Sequence, residues 1–425
     1  MTEQIEPAAR PTDLESLASA TPAEPQSEAK ARLAAAVLSS SAEILDLSHR
    51  IHGNPEVAFE ERQAATWIAE VLRAHGFAVE HPAGSLETAI RATRRGGRSE
   101  GPSGGRSPAG PRIAILAEYD ALPGLGHGCG HNTMAASGVG AAIALAELAD
   151  EIAGEIVFLG TPAEERGSGK QIMIDDGLFE GVDAALLYHP CDRNHVGSFP
   201  LASEDVDVVF TGLQAHASSD PWRGKNALDA MVLLFSSVGL WRQQLRPDAR
   251  VHGIIQEGGT APNIIPDRTR AWFMIRAADQ AEYEGMAIRF RALVEAAALA
   301  TDTTAEVTFS GGAMTMKPNP TLEARWIANA AAYGIRDEGP DPNSGSTDMG
   351  NVSWVCPTIH PELAIAPEGV PGHSIRFRDA AATPAADRTT LLAAILVAQT
   401  AWELFSDPEL VRAAWRDFES GLGRR

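Results

Sequence analysis

The pattern of apolar positions predicts helices and strands that alternate along the first half of the chain. Apolar residues recur every three or four positions over Ala34–Leu47 and Ala64–Leu72, which is the period of an amphipathic helix. Beyond them come short, continuous apolar runs with helical stretches between, at Ile113–Ala117, Glu155–Thr161 and Ala184–Tyr188. Strands that are apolar on both faces and alternate with helices are typical of a largely parallel α/β sheet.

From Glu204 onward the pattern changes, and it predicts a different, smaller unit. The predicted elements are strand Asp205–Thr211, helix Ala227–Leu245, strands Val251–Glu257 and Arg268–Arg276, helix Gln280–Ala298 and strand Thr304–Ser310. This β-α-β-β-α-β order is ferredoxin-like. Helical patterns at Leu322–Ala332 and Ala385–Phe405 then resume the first type of architecture. The predicted fold is therefore a mostly parallel α/β catalytic domain with an inserted α+β domain.

A chain of 425 residues is long enough for two domains. The predicted divisions are a disordered tail at 1–30, a first catalytic part at 31–203, the insertion at 204–312 and a second catalytic part at 313–425. Segment 96–111 is rich in Gly, Pro and Ser, so we expect a surface loop between two strands of one sheet. Its role is left open.

Charge and composition narrow the class of function. A net charge of -21 argues against nucleic-acid and anionic-membrane partners. No stretch approaches the roughly 20 apolar residues that span a bilayer, and the N-terminus carries Pro and acidic residues where a signal peptide is apolar. Three cysteines give no disulfide framework and fit a reducing compartment, so the expected location is the cytoplasm.

The densest chemical signal is the sequence His127-Gly-Cys-Gly-His-Asn132, which follows the strand Ile113–Ala117. Its glycines let the backbone bend so that Cys129 and His131 point to one place. Thiolate and imidazole are good ligands for zinc-like metals. Taken alone, these residues fit a glycine loop with a buried cysteine equally well.

Further candidate ligands follow other strands or lie in other loops. Glu164 and Glu165 come just after Glu155–Thr161, and adjacent carboxylates repel unless a cation or a proton relieves them. His189 ends another strand, and His373 lies in a Pro-Gly-His-Ser loop. A lone histidine is more often structural than a ligand, but these loops together predict a shell for two metals. That shell comprises Cys129, His131, Glu165, His189 and His373, and Glu164 remains as general base.

Two residues of the inserted unit complete the predicted catalytic set. His216 follows a strand, where it would donate a hydrogen bond to a developing oxyanion; a surface histidine is the equally weighted alternative. Asn263 lies in the connection between two other strands. Arg276, or another cation of this unit, is the candidate for holding a substrate carboxylate.

The chain resembles the M20 metallopeptidase family, in particular its amidohydrolase branch, subfamily D. The motifs that carry this resemblance span Ala42 to Leu404 and are His52-Gly-Asn-Pro-Glu56, Asp120-Ala-Leu-Pro123, Gly128-Cys-Gly-His-Asn132, Pro162-Ala-Glu-Glu165, His216-Ala217 and Pro371-Gly-His373. Within the branch, Glu118-Tyr119 and the segments 222–227 and 345–350 are similar to the dipeptidase and aminobenzoyl-glutamate hydrolase subgroup.

The resemblance implies a role for each site residue. It implies that the five predicted ligands bind two divalent ions (Mn, Zn, Co or Ni), that Glu164 is the base, and that His216 assists the oxyanion. It places Asn263 in the substrate pocket, and it implies homodimers or tetramers formed through the inserted domain.

The predicted activity is hydrolysis of an amide C–N bond in a small N-acyl or N-aroyl amino acid or a dipeptide. Two alternatives remain. One is hydrolytic deamination of an electron-poor aromatic amine on the same fold. The other is a non-catalytic binding protein on a hydrolase fold.

Overall fold

The computed structural model describes residues 27–98, 110–341 and 345–421, which divide into two compact units. The first unit contains the described residues up to Phe199 and those from Lys317 to 341 and from Asn351 to 421. The second contains Pro200–Met316 together with residues 345–350. An inserted unit therefore interrupts the first one.

The first unit is built on a mostly parallel sheet of six strands. The strands of this unit are β1 Ala78–Glu80, β2 Ile90–Arg95, β3 Arg112–Ala117, β4 Glu155–Gly160, β5 Ala184–Leu186, β6 His189–Cys191, β11 Thr358–Ile359 and β12 Glu362–Ala364. The six-stranded sheet has the order β1-β2-β4-β3-β5-β11. Strands β4, β3, β5 and β11 run parallel, whereas β1 and β2 pair antiparallel at one edge. The parallel pair β6 and β12 forms a separate small sheet.

Along the chain, the helices of the first unit lie before, between and after these strands. They are α1 Glu28–Ser39, α2 Ser41–Gly53, α3 Arg62–Ala74, α4 His131–Glu147, α5 Gly169–Asp175, α8 Pro320–Ala332, α10 Ile375–Ala380, α11 Pro384–Ser406 and α12 Pro408–Ser420. Helix α4 is buried along almost its whole length. Its residues are mostly Ala, Gly and Ser, and these small side chains let neighbouring elements pack closely around it. A Cβ at Gly138 would lie 2.9 Å from the carbonyl oxygen of Leu116, so only glycine lets α4 lie this close to β3.

Within the part of the chain that the structure describes, one helix, α11, is long and apolar enough to cross a membrane by length and composition, contrary to the expectation from the sequence. It packs against α4, and 78% of its most apolar window is buried inside the protein. That burial is typical of the core helix of a folded domain.

The second unit has the predicted β-α-β-β-α-β order. Its elements are β7 Ala202–Thr211, α6 Ala227–Trp241, β8 Arg250–Glu257, β9 Arg268–Ala277, α7 Gln280–Ala300 and β10 Thr304–Ala313, with the short α9 Met349–Val352 beginning in residues 345–350. The strands form an antiparallel sheet of order β10-β7-β9-β8. Apolar residues of both helices and the inner sheet face form one core around Phe273 and Phe290. The predicted fold class is confirmed.

The structure differs from the predicted divisions at several places, and the inserted unit runs from Pro200 to Met316 where 204–312 was predicted. Residues 345–350, expected in the second catalytic part, belong to the inserted unit, because the Leu201 N–H donates to the Gly345 carbonyl (2.9 Å). Most of the tail predicted at 1–30 lies outside the described residues, but α1 already begins at Glu28. Most of the loop predicted at 96–111 lies outside them as well, between β2 and β3 of the same sheet.

Candidate metal centre

The parallel pairing of β3 and β4 brings two acidic segments to one edge of the sheet. Ala117 and Gly160, the last residues of these strands, pair with each other. The residues that follow each strand therefore meet at this edge. Here the Glu165 N–H donates a hydrogen bond to Oδ2 of Asp120 (2.9 Å).

Cys129 and His131 reach the same edge through the turn that begins α4. Gly130, the residue before the helix, has a left-handed backbone (φ 81°), and a Cβ there would lie 2.8 Å from Cγ of Pro190. Both constraints require glycine. The turn thus holds the two candidate ligands against strand β6, which begins at His189.

The structure brings all five predicted ligands together. The ligand atoms fall into two groups of three, and within each group all three atoms lie within 4.8 Å of one another. The groups are Cys129, His131 and His189, and Cys129, Glu165 and His373. Because Cys129 belongs to both groups, its sulfur lies where two metal positions would meet. We call these five residues the Cys129 cluster. Within it, Sγ of Cys129 is 3.5 Å from Nε2 of His189, and Nε2 of His373 is 3.4 Å from Oε2 of Glu165.

The cluster has the properties expected of a metal centre. Nε2 of His131 and Oε1 of Glu165 are buried and accept or donate no hydrogen bond among the residues that the structure describes, although the Glu118 carboxylate lies 3.3 Å from Nε2. Buried polar atoms normally have a partner, so these two atoms lack one that a bound cation would supply. Sulfur, nitrogen and carboxylate oxygen together suit zinc-like ions. The residues present therefore fit a metal centre.

The pKa shifts of the cluster's side chains also bear on metal binding. Burial raises the pKa of the Cys129 thiol well above its usual range, and the Glu165 carboxylate raises it further. A coordinated cation would reverse this, because a metal-bound thiol loses its proton. Burial also lowers the pKa of His189 to about 4, so its imidazole is neutral at pH 7, the form that binds metals.

Glu164 lies beside the cluster and belongs to a further group. Its half-buried carboxylate, Glu118 and His131 offer ligand atoms within 4.8 Å of one another. Glu118 is fully buried, lies 3.3 Å from Nε2 of His131 and pairs with the buried Lys170 (2.5 Å). Glu118 and Lys170 are site residues that the sequence analysis missed, although Glu118 follows β3 directly.

Asp120 is a third residue that the sequence analysis did not place in the site. Its Oδ1 accepts a hydrogen bond from Nδ1 of His131 (3.0 Å), and its Oδ2 accepts from the Glu165 N–H. One buried carboxylate thus orients two candidate ligands. Its position three residues after the end of β3 was the available signal.

We expect Asp120→Asn to weaken metal binding by about 10- to 100-fold, because an amide cannot accept from both partners. Metal titration followed by calorimetry measures this effect. The control is Asp46→Asn, an exposed carboxylate paired with Arg50, which should bind metal like the parent. Unchanged affinity in Asp120→Asn would show that this carboxylate does not orient the ligands.

The backbone of the turn that carries Glu164 is hydrogen-bonded to the buried carboxyl group of Glu61. Ala163 has a left-handed backbone (φ 59°), which is uncommon for a residue with a side chain. Its N–H donates to Oε1 of Glu61 (2.9 Å), and the Thr88 hydroxyl donates to Oε2 (2.9 Å). Burial, followed by the nearby Asp120 carboxylate, raises the pKa of Glu61 to about 7.

This shift predicts a pH-dependent difference in stability between the parent and Glu61→Gln. A raised carboxyl pKa stabilises the folded state below the unfolded pKa, and that contribution is lost as pH rises through the folded pKa. The parent should therefore lose stability relative to Glu61→Gln between about pH 4.5 and 7, by on the order of 3 kcal/mol. Urea unfolding of both proteins across this range measures it; parallel curves would contradict the assignment.

In the second unit, His216 and Asn263 lie close together. The Ala217 N–H donates to the Asn263 carbonyl (3.0 Å), and His216 forms a β-bridge with Ile264. Nδ1 of His216 accepts from the Ser218 and Ser219 N–H groups (3.2 Å each). An accepting Nδ1 leaves the proton of the neutral ring on Nε2, which makes this exposed histidine a donor.

Arg276, by contrast, lies away from these two residues. It is near the end of β9, eight residues beyond Arg268. At the other end of the strand, the carbonyl of Asp267 accepts a hydrogen bond from the N–H of Gly212, which begins the segment that leads to His216. Eight residues of extended strand span roughly 26 Å. The structure therefore does not place Arg276 with His216 and Asn263, and its Nε instead contacts the sulfur of Met274 (3.0 Å).

Comparison with known proteins agrees with this geometry. The family model described as peptidase family M20/M25/M40 matches residues 114–394, which include β4, most of β3 and all five residues of the Cys129 cluster. A solved structure of a dinuclear metal-binding peptidase of the M20 family from Bacillus subtilis has the same fold, with a TM-score of 0.61 over 84% of this chain and 99% of that one at 21% identity.

Two curated relatives match nearly the whole chain. Xaa-Arg dipeptidase from Mus musculus is 36% identical over 94% of this chain and 96% of its own length. One of the subunits of p-aminobenzoyl-glutamate hydrolase from Escherichia coli (strain K12) is 29% identical over 88% and 91%. The resemblance drawn from the motifs is confirmed: the chain belongs to peptidase family M20/M25/M40 and is a metal-dependent hydrolase.

Proposed function

We propose that this protein is an amidohydrolase that cleaves the amide C–N bond of a small N-acyl or N-aroyl amino acid or a dipeptide. The observation that carries the proposal is the position of Glu164. Its carboxylate lies beside the Cys129 cluster but outside both groups that contain Cys129, whereas its neighbour Glu165 lies inside one of them. A carboxylate adjacent to a metal centre is suited to proton transfer.

Divalent ions held by the Cys129 cluster would lower the pKa of a water molecule and polarise the substrate carbonyl. Glu164 takes the proton from the attacking water and later gives it to the leaving amine, which departs as a neutral group. His131 and Glu165 keep their orientation through Asp120. Two ions drawn from Mn, Zn, Co or Ni would suit these ligands.

His216 is proposed to donate from Nε2 to the oxyanion that develops during attack. The support is its tautomer, because the N–H groups of Ser218 and Ser219 occupy Nδ1. Asn263, held beside it through the Ala217 hydrogen bond, is proposed to contact the substrate. For Arg276 we propose no substrate contact.

The substrate class rests on the relatives. A dipeptidase and an aminobenzoyl-glutamate hydrolase, as their names state, act on substrates in which an amide joins an amino acid to a second group. The metal-loaded protein should therefore be tested on acetyl- and benzoyl-amino acids, aminobenzoyl-glutamate, β-alanyl dipeptides, dipeptides ending in arginine, and nitro-substituted anilines.

Amino-acid release, detected by mass spectrometry, is the expected result, and it identifies the substrate class. Ammonia released from the anilines alone would move the chemistry to aromatic deamination. Failure to turn over any of these compounds, with metals bound, would contradict the proposal and favour a binding protein on a hydrolase fold.

We also propose that copies of the chain associate through the inserted unit. Strand β8 is an edge of its sheet, and its Ile254 and Ile255 are 57% and 44% exposed. An exposed apolar edge strand is suited to pairing with another chain. Light scattering should report a dimer or tetramer for the parent and a monomer for Ile254→Lys.

A further inference from the structure

A second group of potential ligands lies in the first unit and shares no residue with the Cys129 cluster. It consists of His195, Asp341 and Glu362, whose ligand atoms lie within 4.8 Å of one another. We call it the His195 cluster. His195 is 3% exposed, and the two carboxylates are half-buried.

Backbone pairing builds this cluster from three distant segments. His195 and Glu362 form an antiparallel bridge, with N···O distances of 3.0 and 2.8 Å in the two directions. Residues that exchange both hydrogen bonds in this way project their side chains to the same face. The third segment is fixed alongside, because the Asp341 N–H donates to Oγ of Ser198 (3.2 Å).

The ring of His195 is oriented by the kind of hydrogen bond that orients a metal-binding imidazole. Its Nδ1 lies 2.7 Å from the carbonyl oxygen of Gly339. A carbonyl only accepts, so Nδ1 is the donor and Nε2 is the nitrogen left for another partner. In metal sites the second ring nitrogen of a ligating histidine typically donates to such a carbonyl.

Two atoms of the cluster lack a partner that a cation would provide. Nε2 of His195 and Oε2 of Glu362 are buried, and neither has a hydrogen-bond partner in the described part of the chain. If Nε2 carries no proton, its lone pair faces two carboxylates, and all three groups repel one another. A bound cation, or a proton on one of the three groups, removes this repulsion.

We propose that His195, Asp341 and Glu362 bind a divalent cation, separate from the catalytic metals. One imidazole nitrogen with two carboxylates suits zinc or manganese, whereas magnesium and calcium prefer oxygen ligands alone. Such an ion would tie the segment around Asp341 to the bridge between His195 and Glu362. Its role would therefore be to stabilise the fold.

The test is zinc content per chain, measured by mass spectrometry after equilibration with zinc and removal of free metal. His195→Asn keeps an amide donor for the Gly339 carbonyl but has no atom at the Nε2 position, and Glu362→Gln preserves volume while removing the charge. Each should bind one zinc fewer than the parent. The control, His49→Ala, removes an exposed histidine paired with Asp387 and should bind as much as the parent.

Thermal unfolding gives a second readout, because a ligand that binds only the folded state raises the melting temperature. Zinc should stabilise Cys129→Ser, in which the His195 cluster is intact, and this protein should retain one zinc. Adding His195→Asn should remove both the retained zinc and the stabilisation. A Cys129→Ser protein without zinc, or equal zinc in the parent, His195→Asn and Glu362→Gln, would overturn the proposal.

Discussion

Glu164→Gln should lower kcat by about 10²- to 10⁴-fold, the range that a positioned general acid–base group contributes. The amide side chain has nearly the same size but cannot accept a proton from water or pass one to the leaving amine. We expect KM to change only a few-fold and the metal content to stay that of the parent. Steady-state kinetics and metal analysis of the same protein sample measure all three quantities.

The matched control is Glu147→Gln, at the exposed end of α4, which should retain the activity of the parent. A Glu164→Gln protein with nearly full activity would exclude this residue as the base. Loss of metal together with activity would make Glu164 a ligand instead, in line with its closeness to Glu118 and His131.

Cys129→Ser should remove activity and the metal of the Cys129 cluster, because Cys129 belongs to both groups of that cluster. A hydroxyl holds its proton far more strongly than a thiol, so serine is a poor replacement for a thiolate. Loss of a residue that only orients a ligand costs about 10- to 100-fold, so loss of a shared ligand should exceed about 100-fold in rate. Metal analysis and the hydrolysis rate are the measurements.

Cys356→Ala provides the control for losing a buried thiol, since the Cys356 thiol makes weak hydrogen bonds with the Val352 carbonyl and the Thr358 hydroxyl, outside the Cys129 cluster. It should keep the metal content and rate of the parent. Circular dichroism checks that both variants fold. If Cys129→Ser bound a full complement of metal, the thiol could not be a shared ligand.

Local patterns were enough to predict the architecture and the strand-end ligands. Continuous apolar runs distinguish the buried strands of the first unit from the alternating strands of the second. Since ligands follow the carboxyl ends of parallel strands, Cys129, His131 and Glu165 could be grouped from their positions along the chain.

What the sequence could not show is which side chains meet across long separations. Asp120 orients His131 and Glu165 through contacts of 3.0 and 2.9 Å, and no periodicity reports such a contact. The buried pair of Glu118 and Lys170 joins residues 52 positions apart.

Distances along a strand explain why Arg276 lies apart from His216 and Asn263. Charge suggested a carboxylate-binding role, but an extended strand carries its two ends roughly 26 Å apart over eight residues. In the His195 cluster, by contrast, residues far apart in the sequence lie close together in the fold. There, pairing of the backbone at His195 and Glu362 joins segments that are 167 positions apart, by the difference of their numbers.

The most direct test of the central claim, amide hydrolysis that depends on metal ions in the Cys129 cluster, is the rate of amino-acid release before and after metal removal. The protein is stripped with a chelator, checked for metal content, assayed on aminobenzoyl-glutamate, acyl-amino acids and dipeptides, and then reloaded separately with Mn, Zn, Co or Ni. We predict that release falls to background on stripping and returns with at least one of these ions in the parent but not in Cys129→Ser. Release that persists in the stripped protein, or returns equally in Cys129→Ser, would contradict it.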